Sequence, residues 1–240
     1  MTRSRQKQYR KDAILDAAEE LVRELHETSF SMVALAEKAG VSPATPYNLF
    51  GSKASVLYTL LSRSLDGIFA GAAGLDLESD PFQQVLNAAD AAGRFFASDP
   101  KYYRPLYQYL LGVIDPVHRP AYMDRALEYW RRALQAMRDA GFLTERERDA
   151  MALGIVIHIV GALDLWVHGD FDSDEFRAHV TRGVLLLLLH VADERSSAQL
   201  MRKLREVSAS LPAGYSFNRT PRKKRAQAPS VGKKKSETKV

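Results

Sequence analysis

The chain contains no cysteine, so it offers neither a disulfide framework nor a thiolate metal site. Its first residues are charged throughout, which predicts that no secretory signal peptide is present. Long apolar runs are also missing. Gly154–Val167 is interrupted by His158 and Asp164, and Val184–Leu189 is shorter still. Both fall short of the roughly 20 apolar residues that a membrane span needs. No segment alternates polar and apolar residues with period two, so no sheet is expected. Nucleophile elbow, phosphate-binding glycine loop and paired-carboxylate motif are all lacking, which argues against an enzyme and against a bound cofactor. Together these absences predict a soluble, cytoplasmic, all-α protein with no membrane partner.

What is present is concentrated in Ser31–Lys53, SMVALAEKAGVSPATPYNLFGSK. Met32, Leu35, Ala36 and Ala39 recur at i, i+3, i+4 and i+7, the buried face of a short helix. Gly40 follows, where glycine can take the left-handed conformation that closes a helix. Ser42 then offers a side-chain N-cap, and Pro43 suits a first helical position. Two short helices joined by a tight glycine turn form a helix-turn-helix, whose second helix enters the major groove of double-stranded DNA. A preceding helix is marked by Ile14, Leu15, Ala18, Leu21, Val22 and Leu25, with Asp16, Glu19, Glu20, Arg23 and Glu24 outside that stripe.

The segments ILDAAEELV (Ile14–Val22), LAEKAGVS (Leu35–Ser42) and TPYNLFGSK (Thr45–Lys53) resemble, in this order, the DNA-binding part of the tetracycline-repressor (TetR) family of bacterial transcription regulators. The likeness covers roughly the first quarter of the chain. It implies that Thr45, Tyr47 and Lys53 contact the phosphate backbone, roles suited to hydroxyls and to an ammonium at a helix start. Ser42, Pro43, Ala44 and Asn48 are the candidates for base edges, Asn48 for adenine and Pro43 with Ala44 for a thymine methyl. Tyr47 can equally be a core aromatic, and Phe50 is assigned to the core. Pro46 departs from the family, which usually has leucine, isoleucine or phenylalanine there. Leu49 departs too, since histidine or tyrosine is common at that position, and the linker Leu25–Phe30 lacks the family's frequent glycine. Proline in the first turn is expected to tighten the recognition helix without breaking it.

Charge is unevenly placed. Residues 1–11 carry Arg3, Arg5, Lys7, Arg10 and Lys11 with no acid, and residues 218–240 carry nine basic residues against Glu237. Since the whole chain is only +5, the body between them carries a net −8. The basic ends fit polyanion contact. The C-terminal end, rich in proline, glycine, serine and lysine, is expected to be disordered and to serve either non-specific DNA contact or solubility alone.

The expected organisation is therefore a basic flexible arm at 1–11, a helix-turn-helix domain at 12–53, a helical effector-binding and dimerisation domain at 54–211, and a basic tail at 212–240. Helices are predicted at Lys53–Ala70, Pro81–Ala97, Lys101–Ile114, Ala121–Ala140, Glu145–His168, Ser173–Ala192 and Ala198–Ala209, with a Gly/Asp-rich break at Gly71–Asp80 and a capping box pairing Thr144 with Glu147. The middle helices are rich in aromatics, which either pack a core or line a pocket between helices. The resemblance implies a small, largely apolar effector bound here whose occupancy tilts the DNA-binding helices. The candidate lining residues are Phe96, Tyr103, Tyr107, Tyr129, Trp130, His158 and Trp166. His158, Asp164 and His168 form a polar cluster that orients an effector or makes a buried hydrogen bond. Asp164 and His168, one helical turn apart, could face one ion but lack the third and fourth ligands of a metal site.

Glu145–His168 and Ser173–Ala192 are apolar round much of their circumference, which calls for a second partner surface. The resemblance assigns the last two long helices to a four-helix homodimer interface, presenting two recognition helices to a palindromic operator. Packing within one monomer is the other use of those faces. The function so implied is a repressor, nucleoid-associated when bound to DNA. A sequence-blind architectural binder driven by the basic ends, or a small-molecule binding protein with a vestigial DNA motif, are the alternatives.

Overall fold

A computed structural model describes residues 2–72, 80–113 and 115–215. Residues 73–79 of the expected Gly/Asp-rich break, Ile114 and most of the basic tail lie outside the described residues, while Gly71 and Ala72 continue α4. Among those described there are helices and connecting turns but no strand: α1 (Arg3–Leu25), α2 (Met32–Lys38), α3 (Ala44–Phe50), α4 (Lys53–Ala72), α5 (Pro81–Ser98), α6 (Pro100–Leu111), α7 (His118–Ala133), α8 (Gln135–Asp139), α9 (Glu145–Val167), α10 (Ser173–Leu188) and α11 (Glu194–Ala209).

Most helix starts are written in side chains that satisfy the orphan N–H groups of a first turn. Ser31 Oγ accepts from the Ala34 N–H at 3.0 Å, and Asp193 accepts from Ser196 at 2.8 Å. Asp80 and Asp99 do the same for α5 and α6, each followed by a proline that has no N–H to lose. Thr144 with Glu147 and Asp172 with Glu175 close two complete capping boxes. Gly40, at φ +64°, lets the Val41 N–H return to the Ala36 carbonyl and ends α2.

Several boundaries differ from the sequence reading, among them the end of α6, at Leu111 and not at Ile114. Arg3–Lys11, expected as a separate flexible arm, form the first turns of α1. Their exposed, charged side chains carry no apolar stripe, so periodicity could not mark the helix there. The helix expected at Ala121–Ala140 starts at His118, which places Pro120 in its first turn, and it is interrupted at the buried Leu134 to give α7 and α8. α10 stops at Leu188, four residues before the expected Ala192. α11 begins four residues before Ala198, at the Asp193 cap.

α4 is the hinge of the arrangement, with Val56, Leu57, Leu60 and Leu61 almost wholly buried. It meets α1 and α3 on one side and α5, α6 and α7 on the other. α10 lies against α5, α9 and α11. By length and composition α9 passes as a membrane span, contrary to the expectation from its interrupted apolar run. In this fold it is a wall of the bundle, burying Ala152, Ile155, Leu163 and Trp166 against its neighbours.

α9 and α10 are locked by one small residue. The imidazole of His158 occupies the space a side chain at Gly183 would need, since a Cβ there would lie 1.9 Å from His158 Nε2. That nitrogen is 2.8 Å from the His179 carbonyl of α10, so it donates there. Gly183→Ala must therefore expel the ring, and overpacking of this kind costs about 1–3 kcal/mol. In chemical denaturation, His158→Ala combined with Gly183→Ala should cost clearly less than the two single changes added together. Strict additivity would show that the ring and the glycine are not coupled.

Candidate DNA-facing surface and interior cavity

The second helix of the helix-turn-helix presents one face outward. Pro43 already has helical dihedrals (φ −54°, ψ −29°), and Pro46 is the residue of α3 that is buried. Pro46 thus serves as the core residue of α3 and, lying in the first turn, costs little hydrogen bonding. α3 runs unbroken to Phe50, where Gly51 (φ +78°) returns its N–H to the Tyr47 carbonyl at 2.8 Å. Ser42, Pro43, Ala44, Tyr47 and Asn48 are exposed together, Tyr47 at 51%. Thr45 is half-buried, and Leu49 and Phe50 pack against the core.

Two candidates are placed differently from expectation. The Ser42 hydroxyl does not cap a backbone N–H. It pairs with the Thr45 hydroxyl at 2.8 Å, while the Ser42 carbonyl accepts from the Thr45 N–H at 2.9 Å. The Lys53 ammonium, expected on phosphate, lies 4.7 Å from the Phe30 ring centre and 5.4 Å from that of Tyr109. Its half-buried stem and the two ring faces make this a cation–π site. Burial there lowers its pKa, against a weaker upward pull from Glu27. Lys53 therefore fastens the start of α4 to α6.

Behind α4 is a cavity with about 840 Å³ of empty space, counting its opening. It lies between α4, α5, α6, α7 and α9. Of the seven candidates, Phe96, Tyr107, Tyr129 and Trp130 line it. Tyr103, His158 and Trp166 do not. Tyr103 packs beside it against Phe95 and Phe96, with ring centres 5.1 and 5.8 Å away. His158 turns to α10, as above. Trp166 stacks on Phe176 at 5.1 Å under the Arg104 guanidinium.

Tyr58 and Tyr122 are lining residues the sequence reading missed, as are the aliphatic Ile159 and Val160 of α9. The signal for α7 was available. Arg119, Met123, Ala126 and Trp130 recur at helical spacing along one face.

The polar atoms of the cavity are mostly phenols. Tyr107 and Tyr122 share a short hydroxyl–hydroxyl hydrogen bond, and Tyr129 donates to the Ala88 carbonyl at 2.9 Å. Tyr58 reaches the Leu110 carbonyl only at 3.5 Å. Burial raises the pKa of all four, so they stand as neutral donors. Arg119 is the one charged residue in the wall among the described residues.

The supposed cluster of His158, Asp164 and His168 does not form. His168 Nδ1 caps its own helix at the Asp164 carbonyl, 2.8 Å away, and sits 3.5 Å from the Asp164 carboxylate, while His158 faces elsewhere. Among the described residues no group of three His, Asp or Glu side chains is placed to hold a metal.

A different polar chain joins α7 to α4. Ser55 Oγ lies 2.9 Å from His118 Nε2, and His118 Nδ1 lies 3.1 Å from the Asp115 carboxylate. Asp115 also accepts the N–H groups of His118 and Val117 at 2.7 and 3.0 Å. Burial pushes its pKa up, but these donors outweigh it and hold the carboxyl below the ordinary range. Serine, histidine and aspartate in this order are the parts of a nucleophilic site. Ser55 is 2% exposed and does not line the cavity, and its bond to His118 joins α4 to α7. The chain of bonds is a mechanical tie.

No protein-family model matches this chain, and no curated protein is similar to it in sequence. Solved structures do resemble it. A TetR transcriptional regulator from Rhodococcus sp. RHA1 superposes with a TM-score of 0.62 at 21% identity, covering 78% of this chain and 100% of its own. A TetR-family regulator from Syntrophomonas wolfei gives 0.61 at 19% identity, covering 77% and 96%. SmeT, the repressor of the Stenotrophomonas maltophilia multidrug efflux pump SmeDEF, gives 0.53 at 21% identity, covering 75% and 87%. The chain has the fold of the TetR-family transcription regulators.

Proposed function

We propose that the protein is a dimeric, sequence-specific transcription regulator, a repressor released from a palindromic operator by a small, largely apolar effector. The observation that carries this is the double role of α4. One side supports a helix with an exposed DNA-facing surface, and the other walls a cavity. In this reading Asn48, Pro43 and Ala44 meet base edges, and Tyr47 and Thr45 meet phosphates. The basic first turns of α1 add sequence-independent contacts. SmeT, which shares the fold, is a repressor, and that favours the negative sign of regulation.

Dimerisation is favoured by an apolar face left exposed among the described residues. Leu153 and Ile157 of α9 are 50% and 65% exposed, Leu186 of α10 is 45% exposed, and Gly161 opens onto empty space on the same side. A second copy related by a two-fold axis covers the same patch on both subunits. Effector binding then changes the spacing of the two α3 helices through the Ser55–His118 and Lys53–Tyr109 ties. Typical coupling free energies of about 1–3 kcal/mol are enough for regulation.

Selection of sites from a random duplex pool should yield one palindrome both for the full chain and for a version ending at Leu211. Sequence-blind binding that disappears with the tail would exclude the regulator. On the selected site, Tyr47→Ala should weaken binding about ten- to a hundredfold, because a hydrogen bond to a charged group contributes about 1.5–3 kcal/mol. Unchanged affinity in a folded, dimeric variant would remove Tyr47 from the interface. Ile157→Glu should give monomers in sedimentation velocity with the helical circular dichroism retained. A variant that still sediments as a dimer would place the interface elsewhere.

A further inference from the structure

We propose that the effector is an elongated acidic amphiphile, a single carboxylate on a straight apolar body of about a dozen carbons, with its head group on Arg119. The inference rests on the effector-cavity reading above and adds the ligand's chemical class.

Arg119 stands at the second position of α7, exposed, in the wall of an otherwise uncharged cavity. No acidic side chain among the described residues forms a salt bridge with it. The acid closest in sequence, Asp115, is already committed to two N–H groups and the His118 imidazole. A guanidinium in this position matches a carboxylate with two parallel hydrogen bonds and repels a cation. Tyr58 lies close enough for its phenol, whose pKa is raised by burial, to feel the positive charge of Arg119 and, more weakly, the negative charge of Asp115. Its hydroxyl is held only at 3.5 Å and so is available as a second donor to the same head group.

Length follows from α4. The lining residues Tyr58, Leu61, Leu65 and Ile68 form one ladder along the cavity. At about 1.5 Å of rise per residue, the ten steps from Tyr58 to Ile68 span about 15 Å, the length of a straight chain of about a dozen carbons. Apart from the paired phenols of Tyr107 and Tyr122, the carbonyl-bound one of Tyr129 and the Trp130 indole, the walls facing such a tail are lined by apolar side chains. Arg119 directly follows His118, so the head group docks beside the tie that holds Ser55 of α4.

The test is calorimetric titration of the full-length protein with dodecanoate, 1-dodecanol and dodecyltrimethylammonium, each below its micellar concentration. Dodecanoate should bind at least about tenfold more tightly than the alcohol and the ammonium most weakly. Arg119→Gln should erase the preference for carboxylate while leaving the alcohol's affinity within about twofold. Arg94→Gln, a surface change on α5, should alter neither. Equal affinity for dodecanoate and dodecanol in the parent, or a carboxylate preference that survives Arg119→Gln, overturns the assignment of the head group. If none of the three chains binds the parent, the effector-cavity reading itself falls, and this assignment with it.

Discussion

α4 must satisfy two cores at once. It packs against α1 and α3 of the helix-turn-helix part and against α5, α6 and α7 of the bundle, and Arg63, past its midpoint, still pairs with Asp16 of α1. Leucines and a valine with almost no exposure fill both sides, and interiors packed at crystalline density do not deform smoothly. In the proposed mechanism a displacement of the α7 or α6 wall reaches the start of α4 through this packing. Two specific contacts sharpen that transmission, the imidazole that holds Ser55 and the aromatic pair that holds the Lys53 ammonium. Both attach within the first turn of α4, directly after the glycine that ends α3.

Much of this was readable from the residues, and what was readable has a common physical origin. α2, α3 and α9 announced themselves because short-range rules govern them: a 3.6-residue apolar period, a glycine able to take positive φ, and a threonine with a glutamate three residues on. Pro46 shows the same logic in a harder case. Its position in the first turn made a continuous α3 expected, and its burial explains why an apolar residue stands there.

Long-range features were not readable. The cavity depends on which faces of α4 and α7 look at one another, and aromatic content alone does not carry that information. Trp166 and Tyr103 are as aromatic as Trp130 and Tyr107, yet they pack outside the cavity wall. Lys53 looked like a phosphate ligand because its sequence neighbours fit one. Its neighbours in space are Phe30 and Tyr109, which lie 23 and 56 residues away along the chain. The helical start of α1 was missed for another reason, since an exposed charged helix has no apolar face to reveal its period.

The His158 ring seated over Gly183 has a consequence for how motion is distributed. With an imidazole seated over Gly183 and bonded to the facing backbone, sliding of α9 along α10 would have to displace the ring and break that bond. They behave as one plate. In the proposed dimer this plate carries the subunit contact, so the two-fold axis is a fixed reference and the angle between subunits is not an adjustable quantity. All of the change in distance between the two α3 helices then has to come from levers swinging against that plate. Lineages of this protein could therefore retune the ligand by altering α6 and α7 without resetting the operator's half-site spacing.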